Sequence, residues 1–529
     1  MRILRVPLFI AVFVAAAGPF QFAAAQYHDA RVIPRGLLRI GFEPHYRNYD
    51  QRFALNTPGI PNETPEFLGV DLTADTVGTN IFPALSATEA ALQVILGDPD
   101  YRMHIGSFRT VLDRDIRRFP LTFAYGLTDR ITVHAHIPIV THRAQVDFAF
   151  DSTEANAGWN EALAARGTGG ATEAATLVLQ LQTAVGELEA LIAGGAFGCP
   201  SSQMCMQAQT TLDRARVLVS GLTILTQPNP GANNLPSFAP LAGSPTGAAL
   251  TSEIESIIIE LQGFGTTPIT ARFPLPTQEL GSGDIDNLLN NPEFGYQARS
   301  ISFIRGTSFG DIEVGARIGL IQQPTVRAVI DATVRLPTGR NDLPDHFVDL
   351  GTGDRQTDIV LGAQMALDPG SVMGLVVSGY YNLQLPHQLV RRVAAPNMPI
   401  VPFVNQVLVE RNLGDEITLN AFPTIRLNPS FTVYAVGTYY RKQADQFAAG
   451  TGVSPDDVPN EFDLLEQETR MESLAFGGGI TFRSEYDPET DRMPIEAGLS
   501  YRSTFSGSGG MTPKGNDLNL YLRLYWRPF

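Results

Sequence analysis

Beyond its first 25 residues the chain has no uninterrupted apolar run of the roughly 20 residues that a spanning helix needs. Any membrane insertion therefore has to use strands that complete their hydrogen bonds in a closed barrel. Cysteine is nearly absent. Cys199 and Cys205 are the only two, which excludes a disulfide framework and leaves room for one small bridge around Pro200-Ser-Ser-Gln-Met. Two thiolates without a neighbouring histidine make no zinc site, and Asp284-Ile-Asp286 lacks the bidentate glutamate of a calcium loop, so no metal is expected. No phosphate-cradling glycine loop is present, and no cofactor is expected. A formal net charge of −16 excludes nucleic acid as a partner.

What is present at the two ends points to one address. Arg2 and Arg5 precede an apolar run from Val6 to Ala17, and Ala23-Ala24-Ala25 precedes Gln26, the layout of a secretory signal peptide over residues 1–25. At the other end Leu518, Leu520, Leu522, Leu524 and Trp526 alternate with Asn519, Tyr521, Arg523 and Tyr525. Successive strand side chains face opposite sides, so one face suits lipid and the other water. The closing aromatics Trp526 and Phe529 are those of an outer-membrane barrel terminus, although Phe529 has the parity of the polar file, and Pro528 suggests a bulge there.

Alternation of this kind recurs near 35–48, 106–126, 129–147, 309–321, 325–337, 355–367, 371–385, 414–427, 430–442, 470–483 and 493–505. With the last strand, 517–529, this gives an all-β transmembrane barrel of about twelve antiparallel strands, an even number as bacterial barrels have. Compact turn sequences such as Gly126-Leu-Thr-Asp129, Gln322-Gln-Pro324 and Asn428-Pro-Ser430 alternate with long connections. Short periplasmic turns and long external loops orient the chain with both termini in the periplasm. The domain reading is barrel strands 1 to 3 with a long first loop over 26–150, an insertion over 151–300 and barrel strands 4 to 12 over 301–529. The insertion is too long to be structureless. Leu177, Leu181, Ala184, Leu188 and Leu191, then Leu212, Ala215, Val219 and Leu222, then Leu250, Ile254, Ile257, Ile258 and Leu261 recur at helical spacing, so three amphipathic helices are expected.

Charge at bilayer depth is tolerated only toward the lumen. Arg39 and Glu43, His134 and His136, Glu313 and Arg317, Arg327, Asp331 and Arg335, and Asp358 are therefore expected to line the interior, as a salt-bridged network or a charged pore. Val329 is an apolar exception on a polar file. A hydrolase would need a serine set against a histidine, and none stands near His134, His136 or His142, so no enzyme is expected.

Four stretches, Pro120-Leu-Thr-Phe-Ala-Tyr-Gly-Leu-Thr-Asp-Arg-Ile-Thr-Val, Phe309-Gly-Asp-Ile-Glu-Val-Gly-Ala-Arg, Arg335-Leu-Pro-Thr-Gly-Arg and Asp349-Leu-Gly-Thr-Gly-Asp-Arg, resemble the phenol-degradation meta-pathway transporter family of outer-membrane β-barrel proteins. The resemblance covers about 120–140 and 309–385 and implies a channel or transporter for hydrophobic or aromatic compounds. It brings no catalytic or binding residues with it, and the helical insertion and the connection 386–413 depart from a compact family barrel. The expected function is thus an outer-membrane channel for small solutes, with outer-membrane lipid and the barrel-assembly machinery as partners. The alternative is a surface-display or adhesion protein that uses the barrel as an anchor for the insertion. Removal of residues 1–25 takes two arginines and no acid from the chain, leaving a net charge of about −18. N-terminal sequencing of the protein recovered from membranes should begin at Gln26, and a chain still starting at Met1 would contradict the signal peptide.

Overall fold

The computed structural model describes residues 30–53, 64–160, 169–226, 238–368, 372–393, 400–454, 458, 462–484 and 493–528. The signal segment and Phe529 lie outside them. Contacts divide the described residues into a barrel unit, drawn from 30–71, 110–147 and 301–528, and a helical unit, drawn from 72–109 and 148–300.

The barrel has twelve antiparallel strands. They are strand 1 (Leu38–Phe42, continued as His45–Phe53), strand 2 (Ser107–Gly126), strand 3 (Ile131–Asp151), strand 4 (Ile304–Phe309, continued as Ile312–Gln322), strand 5 (Val326–Leu336), strand 6 (Asp358–Leu367), strand 7 (Met373–Gln384), strand 8 (Glu416–Arg426), strand 9 (Phe431–Lys442), strand 10 (Met471–Arg483), strand 11 (Ile495–Ser508) and strand 12 (Pro513–Trp526). Neighbours in sequence are neighbours in the sheet. Strand 12 closes the ring on strand 1, with Ile40 opposite Leu524 and Tyr46 opposite Leu518.

The two faces differ as a membrane requires. On strand 12, Leu520, Leu522, Leu524 and Trp526 are 43%, 45%, 47% and 57% exposed, while Asn519 and Arg523 are 3% exposed. The outward file continues as Leu499, Phe476, Leu419, Leu361, Val334 and Val314 on other strands. Inward come Arg502, Thr438, Asn420, Asn382, Asp358 and Arg335, all buried. An apolar wall around a charged interior is the signature of a barrel whose outer solvent is hydrocarbon.

Some expectations need correction. Near strand ends, where an outer aromatic girdle is expected of a membrane barrel, Tyr380 and Tyr440 turn inward instead: Tyr440 is buried with its hydroxyl on Glu416, and Tyr380 faces the lumen. The connections around 386–413 and 443–469 are not open loops. His387–Arg392, Gln406–Asn412 and Gln446–Ala449 form a small sheet over Leu389, Val393, Val409 and Leu465. The connection 443–469 is rich in acids; its Asp445 pairs with Lys442 and accepts the Gly414 N–H, whereas its Asp456, Asp457 and Glu461 lie outside the described residues.

In the helical unit, helices α1 (Ser86–Leu96), α2 (Gly169–Ala193), α3 (Gln203–Thr226), α4 (Pro245–Gly263) and α5 (Ser282–Asn290) are described. The unit thus draws on the first long loop as well as on the connection after strand 3. Leu177, Leu181, Ala184 and Leu188 of α2 are buried, as are Leu212, Ala215 and Leu222 of α3 and Leu250, Ile254, Ile257 and Leu261 of α4. Leu191 is exposed instead, and Leu218 takes the buried place expected of Val219. Cys199 and Cys205 are bonded and tie the α2–α3 hairpin. Asp284 accepts the Gly281 N–H at 2.7 Å and caps α5.

The face assignment makes a sharp prediction at Leu522. Leu522→Arg places a guanidinium in hydrocarbon and should cost about 2–4 kcal/mol, read from denaturant unfolding in lipid vesicles. A loss below about 0.5 kcal/mol would show that this face does not meet lipid.

Candidate functional site: the barrel lumen

The interior of the barrel unit is apolar at its short-turn end and ionic in its middle. At the short-turn end the described chain begins inside the barrel. The Gln322 amide donates to the Ala30 carbonyl at 3.2 Å, the Ile33 N–H donates to the Thr132 hydroxyl at 2.8 Å, and the Gly36 N–H donates to the Gly126 carbonyl at 2.9 Å. Ala30 is buried in a cluster with Val329, Ala366, Val376, Phe422, Tyr434 and Val436, against which Val32 packs. This explains Val329, the apolar side chain on a polar file: it meets the N-terminal segment, not water. Parity alone could not have shown that a terminal segment fills this end.

Next to the segment lies a cavity of about 200 Å³. Arg31 and Ile33 of the segment line it, with Arg39 and Glu43 from strand 1, Arg118, Pro120 and Thr122 from strand 2, His134, His136 and Val140 from strand 3, Glu313 and Arg317 from strand 4, Asp331 and Arg335 from strand 5, and Tyr380 from strand 7. Among the sequence candidates, Arg39, Glu43, His134, His136, Glu313, Arg317, Asp331 and Arg335 thus share one space. Asp358 sits behind it as a partner of Arg335. Arg327 does not join the cavity; its Nη1 donates to the Pro324 carbonyl at 2.9 Å beside the turn.

Most charges in this wall are paired. Arg335 bridges Glu313 at 3.1 Å and Asp358 at 2.5 Å, and His136 lies 3.3 Å from Glu313. Asp331 is 3.2 Å from both Arg317 and His134 and accepts the Thr333 hydroxyl. A second cluster crosses the barrel's closing seam. Asp517 of strand 12 accepts from Arg47 of strand 1 at 2.7 Å and 3.0 Å and from Arg502 of strand 11 at 2.7 Å, with His45 at 3.2 Å. Arg523 of strand 12 donates to Glu43 of strand 1 at 2.7 Å and lies 4.5 Å over the Tyr521 ring. Arg47, Arg502, Asp517 and Arg523 were not singled out together in the sequence, because parity gives a face and not a partner.

At the opposite end the motif segments form a staple. Strand 4 is interrupted at Gly310 and Asp311, and the connection 337–357 folds onto the break. Asp311 accepts the N–H groups of Gly339 at 2.7 Å and Asp354 at 3.1 Å. The Thr338 and Thr352 hydroxyls donate to the Gly310 and Phe309 carbonyls at 2.8 Å and 2.7 Å. A Cβ at Gly353 would lie 2.2 Å from an Asp311 oxygen, so the Thr-Gly pairs are needed for close approach. Within the connection, Arg340 grips Asp349 with two hydrogen bonds of 2.6 Å and 2.9 Å, and His142 lies 3.3 Å from the same carboxylate. Burial pushes the Asp349 carboxyl up, but Arg340 and His142 outweigh it and hold it well below the usual carboxylate range. His142, the nearest enzyme candidate, is thus buried as a partner of Asp349.

A closed twelve-stranded wall, apolar outside and ionic inside, defines a transmembrane β-barrel. No family model matches the sequence, and no curated protein does. Among solved structures the chain is similar to an outer membrane channel from Pseudomonas putida F1, at 9% identity over 95% of this chain and 99% of that one, with a TM-score of 0.41. It is similar also to the Ralstonia pickettii toluene transporter TbuX, at 8% identity over 94% and 90% with a TM-score of 0.27. A Pseudomonas aeruginosa FadL homologue aligns at 8% identity over 93% and 89%, with a TM-score of 0.25. The barrel itself rests on its strand register and not on these likenesses.

The seam cluster gives a second prediction. Asp517→Ala leaves the Arg47 and Arg502 guanidiniums buried without their acid and should cost about 3–5 kcal/mol. Asp517→Asn, which still accepts a hydrogen bond, should cost less. Denaturant unfolding of both variants in vesicles checks the order, and equal stability of wild type and Asp517→Ala would contradict it.

Proposed function

We propose that this protein is a narrow outer-membrane channel, with its long loops outside and its termini in the periplasm, that admits small solutes having both an apolar part and a polar group. The observation that carries this reading is the lumenal cavity. Ile33, Pro120, Ala124, Pro138 and Val140 give it an apolar side, and the arginines, histidines and carboxylates give it donors and acceptors. An apolar cavity of roughly 150 Å³ admits benzene, so a space of about 200 Å³ suits a single substituted ring. The motif resemblance to the phenol-degradation transporter family agrees with such a solute. Arg39, Glu43, His134, His136, Glu313, Arg317, Asp331 and Arg335 are the residues this reading places along the route, with Arg327 at its periplasmic mouth. Outer-membrane lipid surrounds the wall, and the barrel-assembly machinery inserts it. Against the display reading stands the furnished interior, which an anchor does not need.

The N-terminal segment sets the bore. Proteoliposomes carrying the mature chain should take up a small phenol or aromatic acid faster than empty vesicles. Removal of residues 26–36 should raise single-channel conductance severalfold while circular dichroism still reports a folded barrel. A folded barrel that passes nothing, with or without the segment, would sink the channel reading.

A further inference from the structure

The outer wall carries a feature that the lumen does not explain. On strands 1 to 4 the apolar band ends in a row: Phe42 stacks on Phe119 with ring centroids 6.3 Å apart, and Ile139 lies opposite Phe309. Toward the long-loop end, one outward position on along strand 2 and two along strands 3 and 4, past the Thr141 and Thr307 pair, the wall becomes cationic. Arg117 lies opposite Tyr46 and Arg143 opposite Arg305, all on the outward face. The Arg117 guanidinium sits 5.4 Å over the Tyr46 ring and the Arg143 guanidinium 5.6 Å over the Phe303 ring, so aromatic faces hold both at the rim of the band.

Acid offsets this cluster only in part, since Asp115 stands within ion-pair range of Arg117 and Arg143 and Asp113 also faces Arg143, while Arg305 has no acid partner among the described residues. Asp115 is the one carboxylate lining the cleft, which holds about 150 Å³ between Asp115, Arg117, Thr141, Arg143, Phe303 and Arg305. Asp115 already accepts from the Tyr46 hydroxyl and the Asn48 amide, both at 2.8 Å. Its approaches to Arg117 and Arg143, at 3.9 Å and 3.6 Å, are longer than hydrogen bonds. Asp113, the next acid on that face, accepts from Asn48 at 3.0 Å. Arg143 donates to Gln145 at 2.6 Å, and Arg305 is exposed with no acid partner among the described residues. Three guanidiniums lining one cleft on the outward face, at the rim of the apolar band, fit a multiply charged oxyanion held at the bilayer surface. Guanidinium forks match phosphate oxygens, and the low dielectric of the interface strengthens the pairing.

We infer that Arg117, Arg143 and Arg305 form a binding site for a phosphate of the outer-leaflet glycolipid, seating a lipopolysaccharide molecule against strands 1 to 4. The inference rests on the proposed orientation, long loops outward, because that orientation puts the cleft in the leaflet whose headgroups are phosphorylated sugars. The acyl chains of such a lipid would run down the wall over Phe42, Phe119, Ile139 and Phe309.

The test is native mass spectrometry of the full mature chain in detergent, titrated with diphosphoryl lipid A, dephosphorylated lipid A or phosphatidylglycerol, with inorganic phosphate as competitor. Diphosphoryl lipid A should bind at least about tenfold more tightly than either other lipid, and the Arg143→Gln, Arg305→Gln double variant should lose about that factor. Millimolar inorganic phosphate should not displace it. Heat-modifiable migration on gels confirms that the variant is folded. Equal binding of dephosphorylated lipid A or phosphatidylglycerol, displacement by free phosphate, or an undiminished affinity in the folded double variant would overturn the site. Solute uptake measured on the same variants separates the two readings, since the cleft is outside the lumen and uptake should not change. Protease access to the 337–357 connection on intact cells reports the orientation independently.

Discussion

Strand 12 has to find strand 1, and the rest of the barrel depends on that pairing. An open edge in hydrocarbon leaves a row of N–H and C=O groups unsatisfied, at several kcal/mol each, so no partial version of this sheet is stable in a bilayer. The chain reinforces the seam with ions as well as backbone bonds. Asp517 gathers Arg47, Arg502 and His45, and Arg523 takes Glu43, so that residues separated by most of the sequence share single carboxylates. Charges that would be prohibitive on the outer face specify register on the inner one, because a slip by one residue would send every one of them into lipid.

The same separation of faces arranges the lumen. Around Ala30 of the N-terminal segment the side chains are apolar, as Val329, Phe422 and Val436 are, and the open space beside the segment has Pro120, Pro138 and Val140 on one side and mostly paired charges on the other. The result is a lumen with two characters along one axis.

Period-two alternation made the wall legible: every strand was found near its expected place, because lipid on one side and polar interior on the other leave a strong imprint on each segment. The helices of the insertion were legible for a similar reason, through the spacing of Leu177, Leu181, Ala184 and Leu188. What alternation cannot carry is pairing at long range. Arg335 choosing both Glu313 and Asp358, or Ala30 entering a cluster with Phe422, depends on which strands the closure brings together. The Thr338-Gly339 and Thr352-Gly353 pairs stood out only as parts of the family-like stretches, and their target, Asp311, looked like one more polar residue within the strand 309–321. The sheet of His387–Arg392, Gln406–Asn412 and Gln446–Ala449 went unseen because its strands are short and lie within two separate connections.

The interruption of strand 4 at Gly310 and Asp311 has an effect larger than its size. Against strand 3, Phe309 pairs with Ile139 while Glu313 pairs with His136, so the count of residues shifts by one across the break. Arg305, Glu313 and Arg317 are all odd-numbered, yet Arg305 faces outward and the other two face the lumen. The break works as a parity switch, distributing one file of charges between the two sides of the membrane wall. A regular strand at the same place would have turned Arg305 into the pore and Ile304 into its neighbour's position outside, exchanging a cation for a hydrocarbon on each face.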